Sequence, residues 1–151
     1  MIQDRMAYFE NLYAKELNEG LTAERMNEYN ADQMTLLAYL IFRREMLEGG
    51  LVQLIYNGYG HFLFRNPFAK MMRAWGLKEF SSLVYSASHL YAKYATDLED
   101  KDLDDDEFMA LYEQFPEMEE IDDDFIEMES DVSQEIANFV SQNPDKFGFA
   151  S

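Results

Sequence analysis

The last third of the chain is acidic enough to stay unfolded and too rich in large apolar residues to do so. Residues 97–151 hold 20 acids and two bases, Lys101 and Lys146, a like-charge block that alone reads as a solvated tail. Yet Phe108, Leu111, Tyr112 and Phe115 recur at i, i+3, i+4 and i+7, and Ile121, Phe125, Ile126, Val132, Ile136, Phe139 and Val140 continue the series. That spacing gathers apolar side chains on one helical face. The block is therefore expected to fold as helices against a core with its carboxylates outward. The rest of the chain is close to balanced: residues 1–50 carry a net −4 and residues 51–96 a net +4, so the last third equals the whole chain's −18.

Upstream the same period repeats. A first helix is expected from about Asp4 to Asn18, with Asp4 as its cap and Gly20 as its stop. Thr22 opens a short second helix. Asp32 opens a third whose apolar set Met34, Leu37, Leu40, Ile41 and Leu47 marks a buried central helix ending at Gly49-Gly50. A brief helix from Leu51 gives way to a loop at Asn57-Gly58-Tyr59-Gly60. Asn66-Pro67 starts the next helix, which Gly76 ends. A long helix runs from Leu77 to about Asp97. Asp104, Asp105 and Asp106 sit at the positive end of the Phe108 helix, which Pro116 ends or kinks. A last helix spans roughly Asp131 to Gln142. No segment alternates as a strand would. The expected fold class is all-α: a single compact multi-helix domain over 1–151 with an acidic C-terminal third.

The excess of acid argues against direct contact with nucleic acid or anionic lipid. The absence of cysteine removes disulfide frameworks and zinc–thiolate sites. The most apolar run, Met34 to Phe42, is half the length of a membrane span, and the opening Met1 to Arg5 lacks a signal-peptide pattern. A cytoplasmic protein is expected.

Traces of catalysis are weak. His61 and His89 are the only imidazoles, one placed in the glycine loop and the other in the long helix, and no phosphate-binding or nucleophile motif is present. Asp102, Asp104, Asp106 and Glu113 copy part of an EF-hand register, but its glycine position is Glu107. Loose cation condensation is expected there, with no metal site, no catalytic residue and no cofactor. The acidic block itself calls for a partner. From Asp97 to Asp131, 18 of 35 residues are acidic. If fully helical that is one carboxylate per roughly 3 Å, comparable with the ~3.4 Å per phosphate of one DNA strand. Ordered carboxylates at that density present a DNA-like potential to a basic DNA-binding protein.

The run Glu48-Gly49-Gly50-Leu51-Val52-Gln53-Leu54-Ile55-Tyr56-Asn57-Gly58-Tyr59-Gly60 resembles the signature of a bacterial family typed by a DNA-mimic protein (a DMP-type helical domain), with Gly49, Gly50, Gln53, Asn57 and Gly60 matching. Ile121 to Ile126 and the closing Phe139-Val140 and Asn143 to Phe147 resemble the family's ending. Leu51, Leu54 and Ile55 stand where the family prefers aromatics, and Glu48 where Asn is usual. The resemblance implies an all-helical domain, a homodimer in the characterised member, no enzymatic activity, and a role as a DNA mimic occupying the DNA-binding surface of a transcriptional regulator. The five motif residues are read as structural, Gln53 and Asn57 tying the loop backbone to the core. The partner-facing residues are expected to be Asp102, Asp104, Asp105, Asp106, Glu107, Glu113, Glu117, Glu119, Glu120, Asp122, Asp123, Asp124, Glu127 and Glu129. Two alternatives stay open: an immunity or inhibitor protein for a basic nuclease or toxin, and a metal-dependent enzyme using the acidic cluster.

Overall fold

In the computed structural model, which describes residues 1–99 and 102–148, a helix buried on all sides organises the chain. Asp100 and Lys101, counted in the acidic block, lie outside the described residues. Ten α-helices and no strand are formed among those described: α1 (Ile2–Leu12), α2 (Ala14–Glu19), α3 (Ala23–Met26), α4 (Ala31–Glu48), α5 (Gly50–Tyr56), α6 (Gly60–Phe64), α7 (Phe68–Ala74), α8 (Lys78–Leu98), α9 (Asp105–Tyr112) and α10 (Pro116–Gln142). The all-α expectation holds. The central helix is α4, buried without a break from Thr35 to Arg43; α1, α5, α6, α7 and α10 pack around it, and α8 closes the far side against α5, α6, α7 and α10. Where α4, α7, α8 and α10 meet, Phe42, Phe68, Phe80 and Phe125 interlock, with Phe42 edge-on to Phe125 at 5.1 Å and to Phe80 at 5.4 Å. This is the geometry that aromatic quadrupoles favour.

Several boundaries differ from the sequence expectation, each for an identifiable reason. The first helix is two, broken at Tyr13, whose fully buried hydroxyl donates to the Gln33 carbonyl at 2.6 Å; that tertiary bond outweighs helix continuity. Asp4 makes no cap and lies in the first turn of α1. Asn30, not Asp32, caps α4, in a reciprocal box with Gln33, while Asp32 accepts the indole N–H of Trp75. Leu47 is exposed, outside the buried face. Asn66 donates to the Phe62 carbonyl and does not cap α7.

The largest correction concerns Pro116. It ends nothing: it is the first residue of α10, a position where the missing N–H is no loss. The expected helix from Asp131 is the second half of this 27-residue element. Its far end is held where Trp75 stacks on Phe139 at 4.5 Å.

Candidate partner-binding surface

The acidic surface is built by two helices whose apolar phase decides which carboxylates reach solvent. α9 starts with a capping box, in which Asp104 accepts from the Glu107 N–H at 2.8 Å and Glu107 accepts from the Asp104 N–H. Asp105 and Asp106 fill the first turn, where the helix dipole favours negative charge. Because α9 already begins at Asp105, the EF-hand register does not form a loop. Among the described residues no group of three or more potential metal donors converges.

In α10, Met118, Ile121, Asp122, Phe125, Glu129, Val132 and Ile136 are buried along one stripe. The opposite face carries Glu117, Glu120, Asp124, Glu127 and Asp131 in steps of three and four residues, flanked by Glu119 and Asp123, all exposed. At 1.5 Å per residue these seven carboxylates occupy about 21 Å of axis, or one per roughly 3 Å. Asp102, Asp104, Asp105, Asp106, Glu107 and Glu113 are exposed as well. Asp131 and Glu135, outside the expected set, continue the same face; the four-residue steps from Glu127 were the signal for them. Among the described residues, the one ion pair made by this acidic third joins Glu129 to Arg43.

Two expected surface residues are not on the surface. Glu129 is buried and accepts from Arg43 Nε at 3.0 Å and from the Ser133 hydroxyl at 2.8 Å. Asp122, 5 % exposed, accepts the Leu51 N–H on Oδ1 at 2.8 Å and the Tyr112 hydroxyl on Oδ2 at 3.1 Å. It thereby satisfies a free amide at the start of α5 from a different helix and ties α9 to α10.

The glycine signature is the other half of this joint. Gly49 ends α4, and Gly50 adopts φ +82° with its missing side chain directed at the Asp122 carboxylate. Gly60 lies against the Tyr91 ring of α8. Asn57 donates to the Glu45 side chain at 2.7 Å, not to the loop backbone, and the Gln53 carboxamide packs on Gly49 with Nε2 buried and unpartnered. Of the signature residues, Gly50 receives the acid-bearing helix at Asp122, while Gly60 seats α8 and Asn57 ties the end of α5 to α4.

A family model for DMP19-like proteins matches residues 27–143. This chain belongs to the DMP19-like family. A DNA mimic protein, DMP19, from Neisseria meningitidis serogroup B (strain ATCC BAA-335 / MC58) is 32 % identical over 124 residues, covering 82 % of this chain and 75 % of that protein. The region matched by the DMP19-like model contains the signature glycines and every exposed carboxylate named on α9, on α10 and in the turns beside them, while α1, α2 and α3 precede it.

Burial lifts the Asp122 carboxyl above its ordinary 3.8, against the opposing pull of the Leu51 N–H and the Tyr112 hydroxyl. Burial first, and the Asp122 charge second, push the Tyr112 hydroxyl up to about 12. Since the folded state holds the Asp122 proton more tightly than the unfolded chain, the stability it contributes is complete below pH 3.8 and is lost as pH rises through its raised folded value. Asp122→Asn keeps an acceptor for Leu51 without the charge. Urea midpoints taken across the acid range are therefore expected to fall less with rising pH in this variant than in the unsubstituted chain. Parallel curves would show that Asp122 does not titrate as its burial requires.

Proposed function

We propose that the exposed carboxylates of α9 and α10 stand in for a DNA phosphate backbone, occupying the DNA-binding surface of a basic protein and blocking its access to DNA. The partner class we favour is a transcriptional regulator, met in the cytoplasm, with no enzymatic step and no cofactor. The observation that carries this reading is the run of seven exposed carboxylates along one side of α10, fixed on a packed helix and, among the described residues, outside ion-pair distance of any base, Lys93 acting on Glu117 only from farther off. A rigid array avoids part of the ordering cost that a disordered acidic tail bears on binding. The name of the Neisseria relative, a DNA mimic, supports the same assignment.

The expected result of Asp123→Lys combined with Glu127→Lys is a loss of affinity of about 10- to 100-fold for the captured partner and a shallower salt dependence. Both side chains are exposed, so the melting temperature should hardly move. Affinity capture at low and high salt, with calorimetry on the recovered protein, makes the measurement. Recovery of a basic nuclease would replace the regulator with a different client, and unchanged affinity in the double variant would remove the mimicry itself.

A further inference from the structure

The end of α8 and the flank of α9 enclose an open groove of about 760 Å³. Its lining is mixed in a way that the carboxylate face of α10 is not. Half-buried Leu103 and Leu111, buried Phe115 and exposed Ala110 supply apolar wall, and the exposed carboxylates Asp97 and Glu107 border it. Asp97 sits in the last turn of α8, where the negative end of the helix dipole already disfavours an acid and no basic residue compensates. Neither Asp97 nor Glu107 has an ion-pair partner among the described residues.

The wall contributed by α9 is held by tyrosines, since α9 buries no residue fully. The Tyr56 hydroxyl accepts the Leu103 N–H at 3.0 Å, the Tyr56 ring meets Phe108 at 5.2 Å, and the Tyr94 ring meets Phe115 edge-on at 4.8 Å. A phosphate backbone has no counterpart to such a slot. A methylene stem ending in a planar cation fits it: the stem covers apolar wall, and a guanidinium serves two carboxylates and stacks on aromatic faces, which a lysine ammonium does less well.

We propose that this groove seats an arginine side chain of the DNA-binding partner, with its stem against Leu103, Leu111 and Phe115 and its guanidinium between Asp97 and Glu107. The inference rests on the reading of the acidic face as a phosphate surrogate and adds to it a selective anchor. Part of the binding then resists salt, because the apolar contact of the arginine stem is not subject to the screening that weakens exposed charge contacts.

The probe is N-acetyl-arginine amide, with N-acetyl-citrulline amide as the neutral isostere, titrated into the full chain while methyl NMR signals are followed. Shifts concentrated at Leu103, Ala110 and Leu111 are expected with arginine and not with citrulline. Asp97→Asn with Glu107→Gln, which keeps the capping box, should weaken the response roughly tenfold. Ala110→Trp, at an exposed position, should abolish it without lowering the melting temperature. Equal shifts from citrulline, or shifts spread evenly over the α10 face, would overturn the anchor. With the captured partner, loss of binding in Asp123→Lys/Glu127→Lys but none in Ala110→Trp would refute the anchor while leaving the mimicry standing. Loss in neither would refute both, and loss in Ala110→Trp supports the anchor.

Discussion

Arg43→Ala is expected to cost about 3–5 kcal/mol of folding stability, the range for breaking a buried ion pair from one side. Arg43 is 8 % exposed and its guanidinium is engaged from three directions: Nε donates to Glu129 at 3.0 Å, Nη2 donates to the Gln3 side chain at 2.8 Å, and Nη1 lies 3.8 Å from Glu10. Glu129 also accepts from Ser133, whose hydroxyl oxygen lies 2.6 Å from that of the buried Tyr39. Removing the cation therefore strands a carboxylate inside a chain of hydrogen bonds linking α1, α4 and α10. Urea denaturation followed by circular dichroism reads the cost. Replacing both charges, Arg43→Met with Glu129→Leu, should recover most of it, because the penalty comes from the unpaired charge and not from absence of the pair. A single variant losing less than about 1 kcal/mol would place Glu129 in contact with water. Since this pair ties α10 to α4, the alanine variant should also bind the partner more weakly while every surface carboxylate is retained.

The pair shows what the sequence made legible. Its apolar period placed the helices, including α8 to within a residue of each end, because long amphipathic stretches bury one stripe whatever their neighbours do. The period also contained the burial of Glu129, four residues after Phe125 and three before Val132 on the stripe. Counting acids by density, without following that phase, put Glu129 and Asp122 on the surface. Arg43, which follows directly on the apolar run of α4 and shares its buried stretch, was the complementary sign of an internal partner. From sequence alone Pro116 ends or kinks a helix and Asn66-Pro67 starts one; proline allows both, and the packing of Met118 and Ile121 decides. The helix α6, five residues long, is too short for periodicity to register. What no local pattern carried is the joint between Asp122 and α5, which spans 71 residues of sequence. The signature glycines marked the place, but their reason lies on another helix.

That joint makes Gly50→Ala the other substitution of large effect, with an expected loss of about 3 kcal/mol. Two costs combine. At φ +82° a side chain strains the backbone by itself, and the new Cβ would fall 2.2 Å from Asp122 Oδ2 and 2.6 Å from its Cγ. A carboxylate held by the Leu51 N–H and the Tyr112 hydroxyl cannot retreat without leaving a buried amide at the start of α5 unpartnered. Gly58 separates the terms: its φ is +90° with open space where a Cβ would go, so Gly58→Ala should carry the backbone cost alone, about 1–2 kcal/mol. In an Asp122→Ala background the collision is gone, and Gly50→Ala should then cost no more than Gly58→Ala does. Additive losses in that double-mutant cycle would mean that Gly50 and Asp122 are not coupled. Coupling would tie Gly50 directly to the seating of the acid-bearing helix: the small residue leaves room for a carboxylate to turn inward, and that inward turn holds α10 against α5 with its apolar stripe buried and its other carboxylates in solvent.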